Sequence, residues 1–296
     1  MIFKNWLEHY LFTFKRNNVK NSTYLFYCEM FKALQPLYDI ELDSLDVFAV
    51  QQLINSMHAS GFAYSTIKHV FELVNQACKK AFACKLIRNN PCDGVELPHA
   101  HRREIECLSE FEIRQLLHCS DRNYYYPVFL FLLFSGLRVG ELIALGRDDI
   151  DIQNNVIHIN KNFYRGELST PKTNSGFRSV PLSAELRSLL PVPLSDIVFA
   201  NTLGKRIDYH ALLTSWHRQQ SGAGFIRLHG LHSLRHTFAT NLIHNGADVK
   251  TVSVIMGHRD IQTTLNYYCH ADIEDERHAM DLLTYSDYFM GGVTNV

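Results

Sequence analysis

The sequence predicts a mainly α protein with a small antiparallel β-sheet, built as two domains. Three observations point there. Residues 1–97 carry helical apolar spacing and no strand signal. A polar, basic stretch without periodicity then begins, Leu97-Pro98-His99-Ala100-His101-Arg102-Arg103-Glu104, and reads as an interdomain linker over 98–107. Beyond it, residues 108–296 mix helical segments with three short runs of β character.

In the first domain Ser22-Thr23 is placed to cap a helix running to about Gln35, where Pro36 follows. Asp43-Ser44 is placed to cap a second through His58, stopped by Gly61. Ser65 is placed to cap a longer one, with Ile67, Val70, Phe71, Val74, Ala77, Cys78 and Ala81 at helical spacing, broken at Asn89-Asn90-Pro91. Four short helices make a small bundle.

The second domain opens with Ser109 as N-cap and Glu112 three residues on, a capping box. Helices are expected over about 109–119, 124–135 and 139–145. The apolar run Val128 to Phe134 reads as a buried helix. Strands follow at Asp149–Ile152 and Val156–Ile159 around an Asn154-Asn155 turn, and at Arg178–Leu182 after a turn with Asn174-Ser175-Gly176. The rest is helical, at about 184–190, 208–219, 232–245, 248–256, 260–268 and 273–284.

Composition narrows the function classes. The chain has 296 residues, 46% hydrophobic and 20% charged, enough for a sizeable core and unlike a disordered chain. The longest apolar run falls short of the roughly 20 residues that span a bilayer. The N-terminus has no signal-like apolar stretch, so a soluble, cytoplasmic protein with no membrane partner is expected. Seven Cys without a Cys-x-x-Cys pair argue against a disulfide framework or structural zinc. Net charge is −1, but Asp272 to Asp287 holds six acids against Arg277 alone. That stretch carries −5 and leaves +4 on the remainder, which permits a nucleic-acid partner without requiring one.

Four segments could carry chemistry. In Ser135-Gly136-Leu137-Arg138-Val139-Gly140-Glu141-Leu142 an arginine follows a strongly apolar helix, and a buried guanidinium needs a partner such as Glu141. In Thr170-Pro171-Lys172-Thr173 a lysine is expected at a hairpin tip, where it would ordinarily be solvated. In His232-Ser233-Leu234-Arg235-His236 the two histidines are spaced like metal ligands, but Ser233 stands where a zinc protease has glutamate. Met256-Gly257-His258 is followed nine residues later by Tyr267, within Thr263-Thr264-Leu265-Asn266-Tyr267-Tyr268, where a tyrosine ordinarily packs.

Taken in chain order, these segments resemble the tyrosine recombinase (phage integrase) family over nearly the whole chain. The resemblance implies a two-domain DNA clamp, with a helical core-binding (SAM-like) domain over 1–97 and a mixed α+β catalytic domain over 108–296. It implies Arg138, Lys172, His232, Arg235, His258 and Tyr267 as catalytic residues, with Glu141 orienting an arginine. Tyr267 rather than Tyr268 matches the spacing from His258. The implied reaction is transesterification: the Tyr267 oxygen attacks a DNA phosphorus, forms a 3′-phosphotyrosyl link and releases a 5′-hydroxyl. Bond count is conserved, so no ATP is needed, and the two arginines and donor groups take the place of what metals supply in other nucleases, so no metal or other cofactor is expected.

The resemblance also implies double-stranded core sites as partner. It implies a homotetramer on DNA, with the amphipathic acidic helix at 273–284 passed to a neighbouring protomer, and accessory bending or directionality proteins. Candidate DNA contacts are Thr23, Ser65, Thr66, Lys68 and His69 at helix starts, Arg102 and Arg103 in the linker, and Lys205 and Arg206. The helical domain begins almost at Met1, so the expectation is either a simple recombinase acting on short inverted core sites without an arm-binding domain, or a trimmed chain. The Thr-Pro-Lys-Thr segment is similar to integrases of phages and transposons, which favours integration, excision or inversion of a mobile element. The alternatives are a Xer-type chromosome-dimer resolvase, a type IB topoisomerase acting as a monomer, and a DNA-binding regulator without catalysis.

Overall fold

The computed structural model describes residues 1–99, 106–171, 174–192 and 194–268, with the backbone alone at Asn174 and over 266–268. Arg102, Arg103, Lys172 and the tail helix at 273–284 lie outside the described residues. The chain divides into two units, Met1–Arg103 and Glu104–Val296, and the division falls in the stretch read as a linker.

The first unit contains α1 (Phe3–Tyr10), continued by a π-helical turn (Leu11–Lys15), then α2 (Asn21–Lys32), α3 (Val47–Ala59) and α4 (Tyr64–Ala83). Phe3, Trp6, Leu7 and Tyr10 lie on one face of α1 and are buried. They join the buried stripe of α4 that runs from Ile67 through Val70, Leu73, Val74, Ala77 and Cys78 to Ala81. Trp6 Nε1 donates to the Ala77 carbonyl at 3.0 Å, so burying the indole leaves no orphaned donor.

The expected caps shift. No side chain caps α2, and Thr23 lies in its first turn. Asp46, not Asp43-Ser44, caps α3, its carboxylate accepting from the Ala49 N–H at 2.9 Å. Ser65 lies inside α4, which starts after Ala63. Several capping-type residues stand in a row before α3, and the one used is set by where its buried face (Val50, Leu53, Ile54, Met57) begins.

The second unit begins with α5 (Glu110–His118), where the Ser109–Glu112 capping box forms. α6 (Tyr126–Ser135) is buried almost all round and ends at Gly136, and α7 (Val139–Ala144) follows. Strands β1 (Ile150–Asp151), β2 (Val156–Ile159) and β5 (Arg178–Pro181) form an antiparallel sheet in the order β1-β2-β5, with Ile157 opposite Val180 on the buried side. A second hairpin, β3 (Asn162–Tyr164) with β4 (Glu167–Ser169), lies between β2 and β5 in sequence.

That hairpin corrects an expectation. Its tip is Arg165-Gly166, both at positive φ, and the Lys172 segment comes after β4 instead of at the tip. Each strand is three residues long with no fully buried position, too little alternation for a period-two signal.

Helices α8 (Ala184–Ser188), α9 (Tyr209–Gly222), α10 (His232–His244), α11 (Val249–Met256) and α12 (Ile261–Tyr268) complete the unit. None of the described helices is long and apolar enough to cross a membrane. The core centres on α6, with Phe129 against Trp216 of α9 and Phe131 against Phe199, each pair at 4.9 Å between ring centroids. α10 packs on α6, α7 on β3 and α11 on β5. These contacts bring the end of α6, the start of α7 and the end of α11 to one place.

Phe129 and Trp216 are fully buried. Phe129→Ala should therefore cost about 3–5 kcal/mol of unfolding free energy by chemical denaturation; a cost under about 1 kcal/mol would show that the core does not rest on this pair.

Candidate active site

The site is built at a chain reversal. Gly136 ends α6 in the left-handed conformation, and Arg138 becomes the N-cap of α7. The Arg138 backbone N–H donates to Glu141 Oε2 at 2.9 Å, and its guanidinium Nη1 donates to Oε1 at 2.8 Å. The pair thus forms as the sequence suggested. Close packing fixes this turn as well: a Cβ on Gly140 would lie 2.8 Å from the Phe163 carbonyl of β3.

A second arginine reaches the same carboxylate. Arg178, at the start of β5, donates from Nη1 to Oε1 at 3.0 Å and from Nη2 to Oε2 at 2.8 Å. Glu141 is only 5% exposed. Burial alone would raise its pKa, but hydrogen bonds and charge from Arg178, and then the charge of Arg138, hold it down to about 2.

The end of α11 gathers the arginines. The last carbonyls of a helix lack partners within it and carry the negative end of its dipole. Here Ile255 O accepts from Arg178 Nε at 2.6 Å, Met256 O from Arg235 Nη2, and Gly257 O from Arg138 Nη2 at 3.0 Å. Arg235, on α10 and 4% exposed, also donates from Nη1 to Gly136 O at 2.6 Å. Gly257 sits at φ +64°, where a side chain would be strained, and a Cβ there would lie 2.9 Å from Ser175 O.

Three histidines surround this cluster. His258 follows Gly257, and its Nδ1 lies 2.8 Å from the hydroxyl of the buried Thr264 on α12. Burial, then Arg235 and Arg138, lower its pKa to about 4. His236 is lowered to about 4 by burial, His232 and Arg235. His232 is exposed by surface area yet crowded by surrounding chain, and that crowding with Arg235 and Arg138 lowers its pKa too. At neutral pH all three rings are therefore uncharged, able to accept a proton or donate one N–H.

The structure thus brings together Arg138, Glu141, Arg235 and His258, with His232 close by. The backbone of Tyr267 lies in α12, which packs against α10 and α11, while Lys172 lies outside the described residues. Arg178 and Thr264 escaped the sequence reading. Arg178 stands 37 residues from its partner Glu141, and a lone arginine in a short strand reads from sequence as solvated. Thr264 was visible only as part of the spacing before Tyr267. Among the described residues no group of three or more His, Cys, Asp or Glu gathers to hold a metal ion.

The DNA-contact candidates divide. Ser65, Lys68 and His69 are exposed on the first turns of α4, and His69 meets Phe26 of α2 edge-on at 5.1 Å; Thr23 and Thr66 are half-buried. Lys205 is exposed. Arg206 turns inward, donating to Ile143 O at 2.5 Å with its guanidinium 5.8 Å from the Phe163 ring centroid, so the fold already engages one of its donors and its planar face.

The profile described as "Phage integrase family" matches residues 106–275, more than half of the chain. A XerC-like tyrosine recombinase of Caldanaerobacter subterraneus subsp. tengcongensis is 26% identical, covering 90% of this chain and 75% of that protein. The transposase from transposon Tn916 of Enterococcus faecalis is 28% identical, covering 79% of this chain and 65% of that protein. Among solved structures, the Tn1549 transposon integrase in complex with a circular intermediate DNA superposes with a TM-score of 0.82 at 24% identity, covering 96% of this chain and 100% of that one. A lambda integrase dimer bound to a core site gives 0.76 at 16% identity, covering 90% and 95%. These two likenesses establish the fold.

The histidines give a pH test. In the unfolded chain each titrates near 6.5, while His236 and His258 in the fold titrate near 4. Between these values the unfolded state binds more protons, so their contribution to stability rises from pH 4 to 6.5 and is complete above that. The melting temperature should fall as pH drops from 6.5 to 4, and His236→Gln should flatten that slope. An unchanged slope in the variant would refute the assignment.

Proposed function

Because the chain belongs to the phage integrase family, we propose that it is a site-specific DNA recombinase that cleaves and rejoins strands through a 3′-phosphotyrosyl intermediate. The observation that carries this reading is the convergence of Arg138 and Arg235 on the carbonyls that end α11, beside His258.

The reaction poses three problems. A phenol has a pKa of about 10, so ionising Tyr267 near pH 7 costs roughly 4 kcal/mol unless a base takes the proton. Negative charge grows on the non-bridging phosphate oxygens as the oxygen attacks. The departing 5′-oxygen leaves poorly unless protonated.

Arg138 and Arg235 answer the second problem. Guanidinium forks match phosphate oxygens, and each preorganised donor contributes roughly 3–4 kcal/mol to a transition state of this kind. Their anchoring to backbone carbonyls supports preorganisation, because little needs to move when the phosphate arrives. His232, neutral at pH 7, is the base or relay for the Tyr267 proton. His258 donates from Nε2 to a phosphate oxygen when the Thr264 hydroxyl occupies Nδ1. Lys172 protonates the leaving 5′-oxygen. Glu141 orients Arg138.

Double-stranded DNA is the partner, contacted from Ser65, Lys68, His69 and Lys205 and across the linker by Arg102 and Arg103. Assembly as a homotetramer through the 273–284 tail, help from accessory proteins and a cytoplasmic location belong to the same proposal. The Tn916 transposase at 28% identity and the Thr170-Pro171-Lys172-Thr173 segment support movement of a mobile element. A second reading, chromosome-dimer resolution, is supported by the XerC-like relative, whose similarity covers more of this chain. Sequencing the DNA that the protein captures covalently in its own cell separates the two: element ends support the first, a single chromosomal site the second.

A nicked duplex carrying that captured site should trap a covalent adduct with wild-type protein, in EDTA as well as without it, and none with Tyr267→Phe. An adduct that persists in Tyr267→Phe and disappears in Tyr268→Phe would move the nucleophile by one residue. Loss of the adduct in EDTA, restored by Mg²⁺, would sink the metal-free mechanism.

A further inference from the structure

Glu141 is saturated by two arginines. Oε1 accepts from Arg138 Nη1 and Arg178 Nη1, and Oε2 accepts from the Arg138 backbone and Arg178 Nη2. A carboxylate and a guanidinium left to themselves favour a two-pronged pair. Arg178 holds the two-pronged position here, and Arg138 keeps a single guanidinium contact with the carboxylate. The knot therefore holds two positive charges against one negative. Arg178 is shut away, its side chain 4% exposed, whereas the Arg138 side chain is 37% exposed. The surplus charge faces outward through Arg138.

We propose that Arg178 is a positioning residue for strand cleavage: by occupying the Glu141 carboxylate and the Ile255 carbonyl, it keeps the Arg138 guanidinium turned toward the scissile phosphate and uncancelled. Without Arg178, Glu141 is free to take Arg138 two-pronged, which neutralises it and withdraws donors from the phosphate. Arg178 also fixes the row of carbonyls that holds Arg138 and Arg235, since its Nε bonds the residue just before them. The proposal rests on the recombinase reading. A purely structural Arg178 would only neutralise a buried acid and tie β5 to α11.

The two roles separate in kinetics. Arg178→Lys, Arg178→Gln, Glu141→Gln and the Glu141→Gln/Arg178→Gln double variant are made in the full chain. Each is assayed for the single-turnover rate of adduct formation on the nicked duplex at saturating DNA, for DNA dissociation constant, and for melting temperature. Arg178→Gln should slow adduct formation about 100-fold, the effect of losing one transition-state donor, with DNA affinity within about threefold. Arg178→Lys keeps the charge but not the fork and should lie between it and wild type. The double variant should be no slower than the slower single one, because both residues act through one carboxylate.

A folded Arg178→Gln protein that reacts at the wild-type rate overturns the proposal. So do losses that multiply in the double variant, or a loss accounted for by weaker DNA binding. If Arg178→Gln does not fold, Arg178→Lys and the double variant, which leaves no unpaired buried charge, decide by the same criteria. A wild-type protein that forms no adduct overturns the recombinase reading itself, and is recognised before any variant is compared.

Discussion

Three successive carbonyls, those of Ile255, Met256 and Gly257, organise the candidate site. A helix end cannot satisfy them internally, and here three guanidiniums from β5, α10 and the start of α7 do so. Each arginine comes from a different part of the chain. The helix end therefore acts as a template that converts sequence-distant cations into one cluster. Repulsion among the three charges is offset by the helix dipole and by the Glu141 carboxylate, which two of them share.

This arrangement explains why net charge was a weak guide. The chain sums to −1, yet the site concentrates cations where burial strengthens their field. Burial, and then the same field, keep His232, His236 and His258 neutral, so bases and cations coexist within one small volume. A site of this composition sets fixed positive charge beside uncharged rings that can accept a proton.

Much of this was legible in the sequence. The helical first unit, the capping box at Ser109 and the short sheet all follow from periodicity and local capping chemistry. The Arg138–Glu141 pair was visible because the two residues stand three apart at a helix start. The β3–β4 hairpin was not, since its strands are short and poorly buried. Arg178 was not, because its meaning lies in a residue 37 positions away. From sequence Arg206 is a candidate DNA contact, and only packing reveals that Ile143 and Phe163 claim it. Local rules found the elements; what the elements do to one another required the fold.

Gly257 draws these threads to a single atom. Its left-handed backbone and its contact with Ser175 O leave no room for even a methyl group. Side-chain positions in this neighbourhood have compensating exchanges available, because they can trade volume or charge. This position, like Gly140, has none. It is a bottleneck for variation: any side chain here strains the left-handed turn joining α11 to His258 and presses on Ser175 O and on the Arg178 guanidinium.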